Sequence, residues 1–197
     1  MAISKWLENN KGDSLDIDIK NLIRVPMVYQ PNIYSCGCAA VQSIMKFYGK
    51  EFLYEDLEKK LKTDPEKGTA INDIIKFAES EGMVAKLKTN MSLEALWKFI
   101  DNETPILVAI QAWTESKKPD WANDWKDGHY VVAIGYDDEN TYFMDPSVFG
   151  NYAYIPIKEF VERWHDLDES KKLINPGIVI VSGTSERYSQ DMLKRIK

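Results

Sequence analysis

Residues 127–147 read DGHYVVAIGYDDENTYFMDPS. Tyr130–Tyr136 is rich in β-forming residues, and Thr141–Asp145 forms a second such run. Between them lies the polar turn DDEN, residues 137–140. Two runs joined this closely pair antiparallel. With Asp137–Glu139 as the loop, Tyr136 pairs with Asn140 and Val131 with Asp145. Side chains alternate along a strand, so His129 and Val131 share a face, and Asp145 joins His129 on it diagonally. A loop one residue shorter or longer turns Asp145 to the other face.

Outward from this hairpin, Pro105–Gln111 is a continuous apolar run that suits a buried strand. Tyr152–Ile157 and Gly177–Val181 read as further strands, with Ile157–Trp164 as a short helix. The first half differs. A helix starts at Ser35 or Cys36 and runs through CGCAAVQSIMKFYG, with Val41, Ile44, Met45 and Tyr48 on one face and Gly49 as its stop. Helices follow at Tyr54–Leu61, at Thr69–Glu81 with Gly82 behind it, and at Ser92–Ile100, capped by Ser92. Short strands are predicted at Leu22–Tyr29 and Met83–Lys88, and a short amphipathic piece at Trp6–Leu7. Helices first and antiparallel strands afterwards specify an α+β domain.

The 197 residues make one domain with a core over about 22–182 and peripheral segments at 1–21 and 183–197. Hydrophobic residues at 44% and charged residues at 28% are those of a soluble globular protein. A net charge of -6, without a stretch that concentrates Lys and Arg among aromatics, argues against nucleic acid as a partner. No run of about 18 apolar residues exists to span a membrane, and charges interrupt the N-terminal region where a signal peptide would need an apolar stretch. The expectation is a cytoplasmic protein whose partner is a peptide or protein substrate, with its oligomeric state left open.

Chemistry concentrates around two cysteines and two histidines. Cys36 and Cys38 are too close in a regular element for an unstrained disulfide, which leaves a free thiol to explain. Cys36 falls where a loop turns into a helix, and the unpaired N–H groups and partial positive charge there favour a thiolate. Gly37 is expected to leave open space beside the sulfur. The alternative is that both cysteines are small core residues. Gln30, in the loop before the helix, could join the Cys36 N–H as a donor to an oxyanion, or be an ordinary surface glutamine. His129 at the mouth of a strand can face a cleft as a base, with Asp145 holding its tautomer. His165 reads as solvent-facing or capping. Trp113, Trp121 and Trp125, in the loop before His129, either wall a substrate groove or pack as a satellite core.

The strings QPNIYSCGCAA, GHYVVAIGY and DPS, in that order, resemble the bacteriocin-processing, double-glycine-leader type of cysteine peptidase within the papain-like superfamily. There a Gln, five spacer residues and Cys-Gly open a central helix, a Gly-His carries the base, and an Asp-Pro orients it. The resemblance covers roughly residues 25–160. It implies a papain-like fold, with the Cys-bearing helix packed on the C-terminal sheet. It assigns Cys36 as nucleophile, His129 as base, Asp145 as the orienting acid and Gln30 as oxyanion donor. The chain departs from the pattern at Ser35, where the family often has an acidic residue. The reaction implied is amide hydrolysis through a thioester, without metal or organic cofactor. An acyltransferase or amidase could use the same triad, and a peptide-binding module could carry it silently. Zinc binding at Cys36-x-Cys38 would need ligands that the sequence lacks.

Overall fold

The computed structural model describes residues 22–168, 170–183 and 187–189. The chain is α+β, with its helices mostly in the first half. Helix α1 spans Cys36–Phe47, α2 Tyr54–Lys60 and α3 Ile71–Ser80. Strand β1, Val84–Lys88, precedes α4, Leu93–Asp101. Then come β2 (Ile106–Gln111), a 3₁₀ turn at Trp121–Asn123, β3 (Gly128–Tyr136), β4 (Asn140–Met144) and β5 (Ala153–Pro156). Helix α5 is Ile157–Arg163, and β6 (His165–Asp168), β7 (Lys171–Ile174) and β8 (Gly177–Val181) follow.

Six strands form one antiparallel sheet in the order β1-β8-β2-β3-β4-β5, and β6 and β7 form a separate hairpin. The central position of β2 explains its unbroken apolar run, since every residue from Ile106 to Gln111 is buried. Helix α1 packs against β3. It is buried on nearly all sides, which its small residues Ala39 and Ala40 permit. Ser92 caps α4 as expected, its side chain accepting from Ala95 N–H at 3.2 Å. Gly49 and Gly82 end their helices with φ of +75° and +77°.

Leu22–Tyr29 carries no regular secondary structure and joins no sheet. Pro26 breaks any ladder there. The segment is instead tied down at single points. Ile23 N–H donates to Ile134 O at 2.7 Å, the Ser43 hydroxyl to Pro26 O at 2.6 Å, and the Tyr152 hydroxyl to Val25 O at 2.6 Å. The piece at Trp6–Leu7 lies outside the described residues.

The β3–β4 hairpin closes on an even turn. Asp137 N–H donates to Asn140 O at 3.0 Å, and Tyr136 pairs with Thr141 rather than Asn140. The Asp137 carboxylate stabilises this turn by accepting from the N–H groups of Glu139 and Asn140. That register alone would turn Asp145 away from His129. A β-bulge between Ala133 and Gly135 shifts the pairing by one, so that Ala133 faces Phe143 and Val132 faces Met144. Continued by one residue, the shifted register sets Asp145 opposite Val131.

Candidate active site

Cys36 is the first residue of α1. The first bond of that helix runs from Ala39 N–H to Ser35 O at 3.0 Å, so the N–H groups of Cys36, Gly37 and Cys38 precede its ladder. No acidic residue occupies the first turn, and the Ser35 hydroxyl donates to Asn32 O instead of capping the helix. The positive end of the helix is therefore aimed at the Cys36 sulfur without a competing anion. Cys38, two residues on, is fully buried. Burial pushes its thiol up to about 12, against the opposing effect of a hydrogen bond with Tyr54.

Gly37 does not border open space. A Cβ built there would lie 2.8 Å from Thr69 Cβ and 3.0 Å from Tyr130 Cδ2. The glycine is needed so that the start of α1 can come down onto β3.

His129 and Asp145 are both buried, and His129 Nε2 lies 2.7 Å from Asp145 Oδ1. Cys36 is close enough to the His129 ring to act on its charge, and Nδ1 is the ring nitrogen that Asp145 leaves open. Burial of His129 works against the imidazolium. The hydrogen bonds and negative charges of Asp145 and Cys36 outweigh it and raise the pKa to about 9. The ring is thus a cation at neutral pH, held between a carboxylate and a sulfur. Asp145 Oδ1, the same oxygen that contacts His129, also accepts from Ser147 N–H at 2.8 Å, which fixes the carboxylate.

Gln30 is buried beside the same turn. Its backbone N–H donates to Pro146 O at 3.0 Å, and its Oε1 accepts from the Ser147 hydroxyl at 3.2 Å. Its Nε2 donates one hydrogen to Asn32 O at 2.8 Å, in the loop that leads to Cys36. Gln30 therefore bridges the segments that carry Cys36 and Asp145, with one amide hydrogen to spare.

The three tryptophans separate. Trp113 is 60% exposed and stands edge-on to His129 at 6.4 Å. Trp121 is buried under the Arg163 guanidinium, 3.7 Å from its ring centroid, and Arg163 pairs with Glu159. Trp113, Trp121, Arg163 and Asp145 line one cavity of about 370 Å³. Trp125 is not among its walls and lies on His165, with ring centroids 4.2 Å apart.

His165 is buried, not solvent-facing. It opens β6 instead of ending α5, and its Nε2 contacts Asp124 O at 2.6 Å. Two further polar residues near the site, Gln111 and Asp166, went unread in the sequence. Gln111 is the polar end of an apolar strand, which is a usable signal. Asp166 lies in a short polar strand that carries none. Among the described residues, no group of three or more His, Cys, Asp or Glu side chains is placed to hold a metal ion.

Comparison with known proteins bears on this geometry. The chain is 23% identical over 133 residues to the pediocin PA-1 transport/processing ATP-binding protein PedD of Pediococcus acidilactici. The match takes in 66% of this chain but only 16% of that much longer relative. Among solved structures, a C39-like peptidase from Bacillus anthracis superposes with a TM-score of 0.62 at 17% identity, covering 86% of this chain and all of the other. A double-glycine-motif protease of an AMS/PCAT transporter, solved with its leader peptide, superposes with a TM-score of 0.57 at 19% identity, over 82% and 94% of the two chains. These similarities establish a C39 papain-like peptidase fold. Residues 22–172 match the Peptidase_C39 like family, and this chain belongs to it.

Proposed function

We propose that this chain is a cysteine peptidase, formed by one domain over about residues 22–182, with Cys36 as nucleophile, His129 as its acid–base partner, Asp145 as the group that orients His129, and Gln30 as an oxyanion donor. The observation that carries the reading is the buried His129 ring, bonded to Asp145 at 2.7 Å and electrostatically coupled to Cys36 at the start of α1. A proton on His129 leaves Cys36 as a thiolate. The thiolate attacks a peptide carbonyl, and the carbon–oxygen π pair moves onto oxygen. The Cys36 N–H and the spare Gln30 amide hydrogen bind that oxyanion. As the carbon–nitrogen bond breaks, His129 gives its proton to the departing amine, which leaves a thioester on Cys36. Water, deprotonated by His129, attacks the thioester. The acid departs, and Cys36 and His129 return to their starting state.

The substrate in this reading is a peptide or protein. The chain's fold neighbours include a protease solved with a leader peptide, and the cavity next to Asp145 offers Trp113 and Trp121 as walls for a peptide side chain. Trp125 lies outside those walls, against His165. No metal or organic cofactor enters the reaction, and a cytoplasmic location fits it. Among the described residues, no helix is long and apolar enough to cross a membrane.

The test is a peptide carrying a thiol-directed electrophile, followed by product analysis with a cleavable peptide library. Covalent modification at Cys36 that His129→Gln abolishes, together with release of free acid, is the expected result. An unlabelled Cys36 in folded protein would mark a silent binding module. Products joined to an added amine in place of water would mark an acyltransferase.

A further inference from the structure

The cavity beside Asp145 lies on the same face of the sheet as His129. Ile110 stands opposite His129 in the β2–β3 register, Val131 follows two residues on, and Phe143 stands opposite Ala133. Alternation therefore turns Ile110, Val131 and Phe143 to the His129 side, where all three are buried and floor the cavity. Trp113 and Tyr154, 60% and 55% exposed, stand at its rim. Its 370 Å³ falls among ligand sites, which run from about 300 to 1,000 Å³. The charged groups of its wall are already matched, Asp145 with His129 and Glu159 with Arg163. Arg163 also lies on the face of Trp121. The wall thus offers apolar surface and no unmatched charge. Trp113 adds a second observation. Its φ is +61°, a left-handed conformation that a bulky residue adopts only where its surroundings enforce it. Its ring stands edge-on to His129 at 6.4 Å yet is mostly exposed, so burial of the ring does not account for that conformation. A side chain lodged in the cavity would cover it.

We propose that this cavity is the subsite for the residue that follows the scissile bond, and that it takes a large, neutral, apolar side chain. The proposal rests on the peptidase reading and deepens it. In that reading the acyl part stays on Cys36, with its oxygen at the Cys36 N–H and Gln30. The departing amine must meet His129, because His129 gives it a proton. Two walls of the cavity are the groups that flank His129, namely Asp145, 2.7 Å from its Nε2, and Trp113. Cys36 and Gln30 are not among the walls. The cavity therefore sits on the leaving-group side of the bond. A Phe, Leu or Met side chain would fill it by apolar contact with Ile110, Val131 and Phe143. A charged side chain would give up its water without finding a free partner. Glycine would leave the space unfilled.

Binding can be read without turnover, in Cys36→Ala protein, by NMR of the tryptophan indole N–H signals. Trp113→Phe and Trp121→Phe assign the two that matter. Acetyl-Gly-Phe-amide is expected to shift both, and acetyl-Gly-Gly-amide to leave them in place. Cleavage by the parent is then read from a peptide library by mass spectrometry. Bonds followed by Phe, Leu or Met should be cut about tenfold faster, or more, than bonds followed by Gly. Trp113→Gly, which suits φ of +61°, should reduce that difference severalfold. Should it fail to fold, Ala153→Leu, which fills the cavity from β5, serves the same comparison. Indole signals that ignore the Phe peptide overturn the inference. A library preference that is absent, that falls on the residue before the bond, or that the folded variant leaves unchanged overturns it too. Shifted signals from a protein that cuts nothing sink the peptidase reading alone, and cleavage beside unmoved signals sinks the cavity assignment alone.

Discussion

His129 and Asp145 stand 16 residues apart in the chain and 2.7 Å apart in space, across a hairpin whose turn has the wrong parity to bring them together. The bulge between Ala133 and Gly135 restores the face. Their contact thus depends on one extra residue in β3, so the backbone itself sets Asp145 beside His129.

Asp145→Asn is the sharpest probe of that contact. Asparagine can still accept from Ser147 N–H, so the turn should survive. The His129 tautomer and charge should not. We expect turnover to fall by about 10²- to 10⁴-fold, as with loss of a triad carboxylate elsewhere. Steady-state kinetics beside a thermal melt will check it. A near-normal rate removes Asp145 from the machinery and leaves a Cys36–His129 dyad.

The two thiols should behave differently. Cys38 is fully buried and its thiol sits near 12. Cys36 is buried too, but keeps 9% exposure and sits at an uncapped helix start beside His129. Limiting iodoacetamide on native protein should modify Cys36 and spare Cys38, as read by peptide mass spectrometry. Preferential labelling of Cys38 would overturn the assignment.

The pH dependence has a defined sign. His129 is raised from an ordinary 6.5 to about 9, so folding binds its proton more tightly. That contribution to stability is complete below about 6.5 and is lost as pH rises through 9. Activity should show an alkaline limb in the same region, where the imidazolium loses its proton and can no longer protonate the leaving amine. Denaturation midpoints from pH 6 to 10 should decline over that window in the parent, and less in Asp145→Asn. A flat stability profile with no alkaline limb would count against a charged His129.

Gly37→Ala tests packing alone. The added methyl would meet Thr69 and Tyr130 inside ordinary contact distance. Overpacking of this kind costs about 1–3 kcal/mol. A chemical-denaturation curve should show that loss. An unaffected midpoint would mean that α1 can slide to make room.

Much of this was legible in the sequence because the signals were local. Gly177–Val181 and the apolar run of β2 announce themselves by composition, and the helix from Cys36 by its periodicity. Cys36, His129 and Gln30 stood out because rare chemistry fell at structural boundaries. What stayed hidden was set by tertiary context. The β6–β7 hairpin is short and mostly polar, so no periodicity marks it, and with it went the burial of His165 and the position of Asp166. Leu22–Tyr29 has strand composition, but Pro26 cannot donate to a ladder and the segment is held at single points instead. The β3 bulge left one trace, Gly135, since a glycine inside a strand often marks such an irregularity. The tight fit at Gly37 left none, because its neighbours Thr69 and Tyr130 are distant in sequence.

That fit divides the site into two kinds of constraint. The height of Cys36 over β3 is set by a hard steric stop, carbon against carbon, at Gly37, Thr69 and Tyr130. Such a stop is indifferent to proton concentration and ionic strength. The protonation of His129 is set by charge, which responds to both. In the proposed peptidase, a change of solution is therefore expected to switch the chemistry off while leaving the spacing of its atoms where it was, and restoring the solution to restore the reaction without any refolding.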